Sequence, residues 1–108
     1  MGYRPTFELV NDQTLSYYGT KLYGYFDCKK LLSFRYLVSL GKLPEDALFE
    51  YGMDNEIILS EKDFALFIDL YELDMRKYRD PYFSFISLEH GIVRKLVNTP
   101  GYKRVYWC

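Results

Sequence analysis

The chain has 108 residues, of which 49% are hydrophobic and 27% charged, and its formal net charge is −1. This length fits one domain, and this balance of apolar and charged residues excludes an intrinsically disordered chain. The apolar runs are short and interrupted by charge, which excludes a membrane-spanning segment. We therefore expect one compact domain over residues 1–108, without membrane contact.

Cysteine usage and the N-terminal sequence favour a cytoplasmic location. The two cysteines, Cys28 and Cys108, are too few for the disulfide framework of a small secreted domain. Residues 1–5 contain no apolar stretch, so no signal peptide is predicted. Both thiols are therefore expected to be reduced.

The N-terminal quarter of the chain is predicted to form a three-stranded antiparallel meander. Residues 6–10 alternate weakly between apolar and polar side chains, and residues 14–18 are rich in β-branched and aromatic types. Gly19-Thr20 fits a two-residue hairpin turn, because glycine adopts the positive φ that the first position requires. A third strand over 21–26 completes the meander.

An amphipathic helix is predicted over residues 28–40. Asp27 is a suitable N-cap, and Gly41 stands at the position where helices commonly end. The apolar stripe is formed by Leu31, Phe34 and Val38, and the opposite polar face by Lys29, Lys30 and Ser33. A shorter helix is predicted to begin at Pro44 and to end at Gly52.

The clearest helical pattern covers residues 61–79. Ser60 is the predicted N-cap, and Asp63 occupies the acidic third position of a capping-box-like start. The predicted buried face consists of Phe64, Phe67, Ile68, Tyr71, Met75 and Tyr78. The predicted solvent face consists of Lys62, Asp69, Glu72, Arg76 and Arg79, with Glu72 and Arg76 spaced as a helical ion pair.

The remaining elements are short. Strands are predicted over 56–59, 82–86 and 102–107, and a helix over 88–97. Because a meander precedes helices and isolated strands, the fold class is α+β, with about three to four helices packed on a mainly antiparallel sheet.

Charge is segregated along the sequence. Residues 1–75 hold 7 basic and 13 acidic residues, whereas residues 76–108 hold 7 basic and 2 acidic ones. Residues 45–74 alone hold ten acids against one lysine, Lys62. Two interpretations follow. In the first, the opposite charges neutralise one another in the fold or simply solvate their faces, and in the second an acidic face steers a basic partner.

The sequence provides little for catalysis. His90 is the only histidine, and nothing in the sequence places it beside Cys28 as a thiol–imidazole pair. These residues also lack the spacing of a zinc site, and no glycine-rich phosphate loop is present. We therefore expect no catalytic residue, no metal and no cofactor.

The chain is rich in aromatic residues, with 12 Tyr, 8 Phe and 1 Trp. In the third predicted strand, Tyr23 and Tyr25 share one face with Lys21, whereas Leu22 and Phe26 share the other. If Leu22 and Phe26 face the core, then Lys21, Tyr23 and Tyr25 face outward and form a protein-binding patch. The alternative is a set of cross-strand aromatic pairs that stabilises the sheet.

A second candidate surface lies at the C-terminus. Lys103, Arg104, Tyr106 and Trp107 alternate cations with rings, a pattern that suits single-stranded nucleic acid. The isoelectric point near 5.8 and the acidic middle of the chain oppose phosphate binding. The alternative places Val105 and Trp107 in the core and both cations in solvent.

Two functions are therefore predicted. The first is a non-catalytic protein-interaction module, acting as an accessory subunit, an inhibitor or a homodimer. The second is single-stranded nucleic-acid binding through the C-terminal segment. The second function is favoured if the basic residues converge around an exposed Tyr106 or Trp107; these residues are Arg76, Arg79, Arg94, Lys103 and Arg104.

Overall fold

The described part of the chain has an α+β fold of four strands and three helices. The computed structural model describes residues 5–18, 31–43, 57–78 and 87–107. In chain order, the elements are β1 (Pro5–Leu9), β2 (Asp12–Tyr18), α1 (Leu32–Ser39), β3 (Ile57–Leu59), α2 (Glu61–Tyr78), α3 (Ser87–Asn98) and β4 (Lys103–Trp107). The predicted α+β class is therefore confirmed.

Three predicted elements lie outside the described residues. They are the strand over 21–26, the helix that begins at Pro44 and the strand over 82–86. The three-stranded meander thus stays a prediction, of which the structure shows the β1–β2 hairpin. None of the described helices is long and apolar enough to cross a membrane.

The strands form one antiparallel sheet in the order β2-β1-β4-β3. β1 pairs with its sequence neighbour β2 on one side and with the distant β4 on the other. Phe7 lies opposite Val105, and the next residue, Glu8, lies opposite Arg104. Because side chains alternate along a strand, these two pairs point to opposite sides of the sheet.

The hydrophobic core lies between the sheet and the helices. Phe7 of β1 is fully buried, and its ring contacts three rings of α2 edge-on: Phe64 at 5.7 Å, Phe67 at 5.6 Å and Tyr71 at 5.2 Å between centroids. Edge-to-face packing is an arrangement that aromatic quadrupoles favour. Ile68 is buried as well, so the described members of the predicted buried face of α2 are confirmed.

The start of α1 differs from its prediction. The helix begins at Leu32 with Leu31 as an extended N-cap, so the prediction that Asp27 caps it is wrong. The Asp74 carboxylate of α2 accepts hydrogen bonds from the Leu32 amide at 2.8 Å, the Ser33 amide at 2.9 Å and the Ser33 hydroxyl at 2.6 Å. A side chain from another helix therefore caps α1, and Ser33 is buried rather than solvent-facing.

The end of α1 matches its prediction. Gly41 adopts a φ of 72°, and its amide donates to the carbonyl of Val38 at 3.0 Å. The Lys42 amide donates to the Leu37 carbonyl at 2.9 Å. These two bonds form a Schellman motif, which satisfies carbonyls at the end of a helix.

Alanine at Gly41 and at Gly91 is expected to change stability in opposite directions. No atom lies within 4 Å of a Cβ at either position, but only Gly41 has a positive φ. Strain therefore makes Gly41→Ala cost about 1 kcal/mol of unfolding free energy. Gly91→Ala, inside α3, is expected to add about 0.5–1 kcal/mol. Urea unfolding measures both changes, and two changes of the same sign would contradict this prediction.

The start of α2 also matches its prediction. The Asp63 amide donates to the Ser60 hydroxyl at 3.3 Å, which is the bond of an N-capping serine. The Asp63 carboxylate accepts a hydrogen bond from the Tyr36 hydroxyl of α1 at 3.3 Å. Since Tyr36 follows Leu32 in α1 while Asp63 precedes Asp74 in α2, the two helices pack antiparallel.

Candidate functional site

The aromatic hairpin patch predicted from sequence lies outside the described residues. This holds for Lys21, Tyr23 and Tyr25, which were the predicted protein-binding residues. Their role stays a prediction. The described residues permit an examination of the C-terminal basic strand and of the acidic segment that contains α2.

Strand alternation separates the two cations of β4. Lys103 shares the helix-facing side with Val105, and both are buried. The Lys103 ammonium donates to the Thr99 carbonyl and lies 5.7 Å from the centroid of the Phe64 ring. The alternative that placed Lys103 in solvent is therefore wrong, because its alkyl chain follows Val105 into the core while its ammonium finds a carbonyl.

Arg104 lies on the other side of the sheet, where it pairs with an acid. Its Nη1 atom is 2.7 Å from Oε1 of Glu8, the residue directly opposite on β1. Both side chains are largely buried. Tyr106 is half-buried on the same side of the sheet, and the side chain of Trp107 lies outside the described part of the chain.

Three of the described cations, Arg94, Lys103 and Arg104, do not converge on one surface. Lys103 and Arg104 point to opposite sides of the sheet, and Arg94 of α3 lies beside two acids of α2. Its Nη2 atom is hydrogen-bonded to Glu72 and lies 3.9 Å from Oδ1 of Asp69. Glu72, for which the sequence predicted an ion pair with Arg76, thus links α2 to α3.

Stability should rise with pH because of Lys103. Burial lowers the pKa of its ammonium from the ordinary value of 10.5, an effect that nearby Glu61 opposes. Between the lowered pKa and 10.5 the unfolded chain binds more protons than the folded chain, so raising the pH through this window stabilises the fold. The Lys103→Met variant lacks this titration. As the pH is raised, the unfolding free energy of the wild type should therefore rise relative to that of the variant.

The difference in stability between the wild type and Lys103→Met is also free of the titration of Tyr36, which acts in the opposite direction. Burial, the Asp63 charge and the Asp63 hydrogen bond raise the pKa of Tyr36 above 10.0, so its titration lowers stability above that pH. Tyr36 is present in both proteins and cancels in their difference. Urea unfolding from neutral pH to 10.5 tests the Lys103 prediction, and a pH-independent difference would contradict it.

Four of the five described acids of the 45–74 segment form hydrogen bonds within the fold, whereas Asp69 is 63% exposed. Asp74 caps α1, Asp63 accepts from Tyr36, and Glu72 bonds Arg94. Glu61 accepts from the Gly101 amide at 2.7 Å, which ties the start of α2 to the turn before β4. Among these four contacts, the Glu72–Arg94 pair joins opposite charges, whereas the other three carboxylates accept from uncharged donors.

Exposed leucines occupy the outer side of α2, opposite its buried aromatic face. The exposed fraction is 45% for Leu66 and 47% for Leu73, and Leu70 between them is half-buried. Leu32 of α1, 45% exposed, is held near Leu73 because its amide binds Asp74. These four residues are referred to below as the leucine face.

Sequence reasoning did not identify the leucine face. The predicted solvent face of α2 consisted of charged residues and did not include Leu66, Leu70 and Leu73. Steps of four and three residues return to one side of a helix. That spacing, in a helix whose opposite side already held four large apolar residues, was the available signal.

The exposed charges beside the leucine face are mostly basic. Lys62 and Arg76 of α2 and Arg35 of α1 are exposed. Asp69 is the exposed acid nearest to the leucines along α2, and it lies on the side that faces Arg94. The outer side of α2 thus presents leucines together with the exposed cations Lys62 and Arg76 and the exposed acid Asp69.

No group of three or more His, Cys, Asp or Glu side chains is placed to hold a metal ion within the described residues. No protein-family model, curated protein or solved structure matches the chain. The function is therefore inferred from the geometry of the leucine face and of β4.

Proposed function

We propose that this chain is a small, non-catalytic, cytoplasmic protein-interaction module, acting as an accessory subunit, an inhibitor or a homodimer. The observation that carries the proposal is the leucine face. Single exposed leucines are common, but Leu66 and Leu73 lie on one side of α2 with nearly half of each residue exposed, and Leu32, similarly exposed, begins the adjacent helix. Covering such a patch with a partner removes apolar surface from water, which drives association.

Replacement of the exposed leucines tests this function. We expect the double variant Leu66→Gln/Leu73→Gln to lose about tenfold or more in affinity for the partner, since burial of these two exposed side chains contributes about 1.4 kcal/mol or more together. Both positions are exposed, so the fold should keep its stability. Immobilised wild type and variant are compared for proteins retained from native lysate and for self-association in sedimentation.

Ile58→Gln is the matched control. Ile58 is also a large aliphatic residue, 37% exposed, but it lies on the outer side of the sheet, where it pairs with Arg104. The wild type and Ile58→Gln should retain the same partner or form the same dimer. Equal recovery by wild type and the leucine double variant, together with a strictly monomeric wild type, would refute the proposal.

The second candidate function is single-stranded nucleic-acid binding through Lys103, Arg104, Tyr106 and Trp107. The position of Arg104 and half-exposed Tyr106 on one side of the sheet supports it. The internal partners of both cations favour the protein-interaction proposal, because phosphate would have to compete with Thr99 and Glu8. Filter binding of single-stranded nucleic acid in a salt series distinguishes the two functions. Phosphate contacts are strongest at low ionic strength, so an absence of binding there would exclude the nucleic-acid function.

A further inference from the structure

The outer side of α2 has the geometry of a helix-binding surface. Lys62, Leu66, Leu70, Leu73 and Lys77 follow one another at steps of four, four, three and four residues. The leucine steps average the 3.5-residue period with which helices pack along one another. Leu66 and Leu73 are about 10 Å apart along the axis, so a partner helix of three turns covers both.

The charges around this surface indicate the sign of the charge that a partner carries. Lys62 and Arg76 flank the two ends of the leucine face on α2, and Arg35 is exposed on the neighbouring helix α1. Of the nearby acids, Asp63 accepts from Tyr36 and Glu72 binds Arg94, so that Asp69, beside Arg94, is the one exposed acid near the leucines in the described part of α2. A complementary surface therefore carries acidic residues beside an apolar stripe.

The same charges disfavour a second copy of the chain as the occupant. An antiparallel pairing of α2 with its copy that places Leu66 against Leu73 also places Lys62 near Arg76, at both ends. A parallel pairing places each cation against its equivalent. Like charges across an interface oppose association in either case.

A lipid surface is disfavoured for a different reason. Amphipathic helices that lie in a bilayer insert a large apolar face among the acyl chains. In α2 the four residues Phe64, Phe67, Ile68 and Tyr71 are buried, and they form the larger apolar face of the helix. The outer side retains leucines bordered by cations, which suits a helix with a narrow apolar stripe.

We propose that the leucine face binds an acidic amphipathic helix of a partner protein, an inference that rests on the proposed function and specifies its partner. The apolar stripe of that helix covers Leu66, Leu70 and Leu73, with Leu32 at one edge. Its Asp and Glu residues lie beside Lys62 and Arg76. Binding weakens with salt, because exposed ion pairs are screened.

A peptide-display selection tests this inference. The full chain is immobilised and presented with a library of random 16-residue peptides, and the immobilised Leu66→Gln/Leu73→Gln variant removes peptides that bind elsewhere. We expect the enriched peptides to share apolar residues at helical spacing and a net negative charge. Their affinity for the wild type should exceed that for the leucine double variant about tenfold or more.

Charge reversal provides the second measurement. For an enriched peptide, Lys62→Glu/Arg76→Glu should weaken binding about tenfold in low salt, whereas the Lys95→Glu control on α3, also exposed, should leave it unchanged. Peptides without an acidic bias, or an affinity insensitive to both substitutions, would overturn the inference. The inference would also be overturned if the chain bound vesicles of phosphatidylcholine and phosphatidylserine more tightly than it bound the enriched peptides. Dimers in sedimentation that depend on Leu66 and Leu73 would overturn it as well.

Failure of this inference is distinguishable from failure of the proposed function. If lysate proteins depend on Leu66 and Leu73 for retention but the selected peptides are basic or extended, the interaction module stands and the acidic helix is wrong. If the wild type is monomeric and retains the same proteins as the leucine double variant, both are wrong.

Discussion

Removal of the Asp74 carboxylate is expected to cost about 3 kcal/mol of unfolding free energy. Asp74 is buried and accepts three hydrogen bonds, two from the first amides of α1 and one from the Ser33 hydroxyl. Asp74→Ala removes the helix cap and leaves buried donors without an acceptor, and each of these effects costs on the order of 1–2 kcal/mol. Small domains are stable by only about 5–15 kcal/mol, so this is a large fraction.

Three further variants define the origin of the Asp74 effect. Ser33→Ala removes the 2.6 Å hydroxyl bond alone and should cost about 1 kcal/mol. Asp74→Asn presents an amide NH2 group to donors of α1 and should recover little. Asp69→Ala is the control, because its side chain is 63% exposed and its loss should cost less than about 0.5 kcal/mol. Urea unfolding followed by circular dichroism measures all four, and a cost below about 1 kcal/mol for Asp74→Ala would contradict the capping role.

The Asp74 cap shows where sequence reasoning stopped. Local rules assign a helix cap to a polar residue just before the helix, and Asp27 satisfied that rule. The structure caps α1 with a residue 41 positions after Ser33, which no local spacing contains. The caps that local rules found correctly, Ser60 and Gly41, are those whose bonds join neighbours in sequence.

The same distinction applies to the sheet and the core. The hydrophobic period of α2 predicted Phe64, Phe67 and Ile68 as buried, since a helix repeats its own face without reference to the rest of the chain. The pairing of β1 with β4, about 100 residues apart in sequence, had no local signal. Without that pairing, the sequence did not show that Lys103 would be buried on the side of Phe7.

Charge was the property that sequence described least well. The number of acids in 45–74 suggested an acidic surface, but it does not show which way each carboxylate points in the fold. In the described part of that segment, capping and ion pairing turn carboxylates toward α1, α3 and the turn before β4. Lys62 and Arg76 of α2 are exposed, and the partner proposed here is therefore acidic rather than basic. A buried or paired acid contributes to the fold, whereas an exposed cation is available to a partner.

Truncation of Phe7 is expected to have the largest effect on stability. Its ring is fully buried and packs edge-on against three rings of α2, and it faces Val105 of β4. Phe7→Ala removes that apolar surface and leaves a cavity between the sheet and α2, at a cost of about 4 kcal/mol. Ile58→Ala is the contrast, because Ile58 is partly exposed on the other side of the sheet and should cost less than about 1.5 kcal/mol.

Phe7→Leu keeps the prediction testable if Phe7→Ala does not fold. Leucine fills most of the space but loses the edge-on ring contacts, so we expect a cost of about 1–2 kcal/mol in urea unfolding. A double-mutant cycle with Phe67→Leu should give a coupling of about 0.5–1.5 kcal/mol, and no coupling would contradict the ring contact at 5.6 Å. Because Phe7 lies on the buried side of α2 and Leu66 on the outer side, Phe7→Leu should lower stability without weakening partner binding. Leu66→Gln should do the reverse, and this opposition separates the residues that hold the fold from those that form its proposed binding surface.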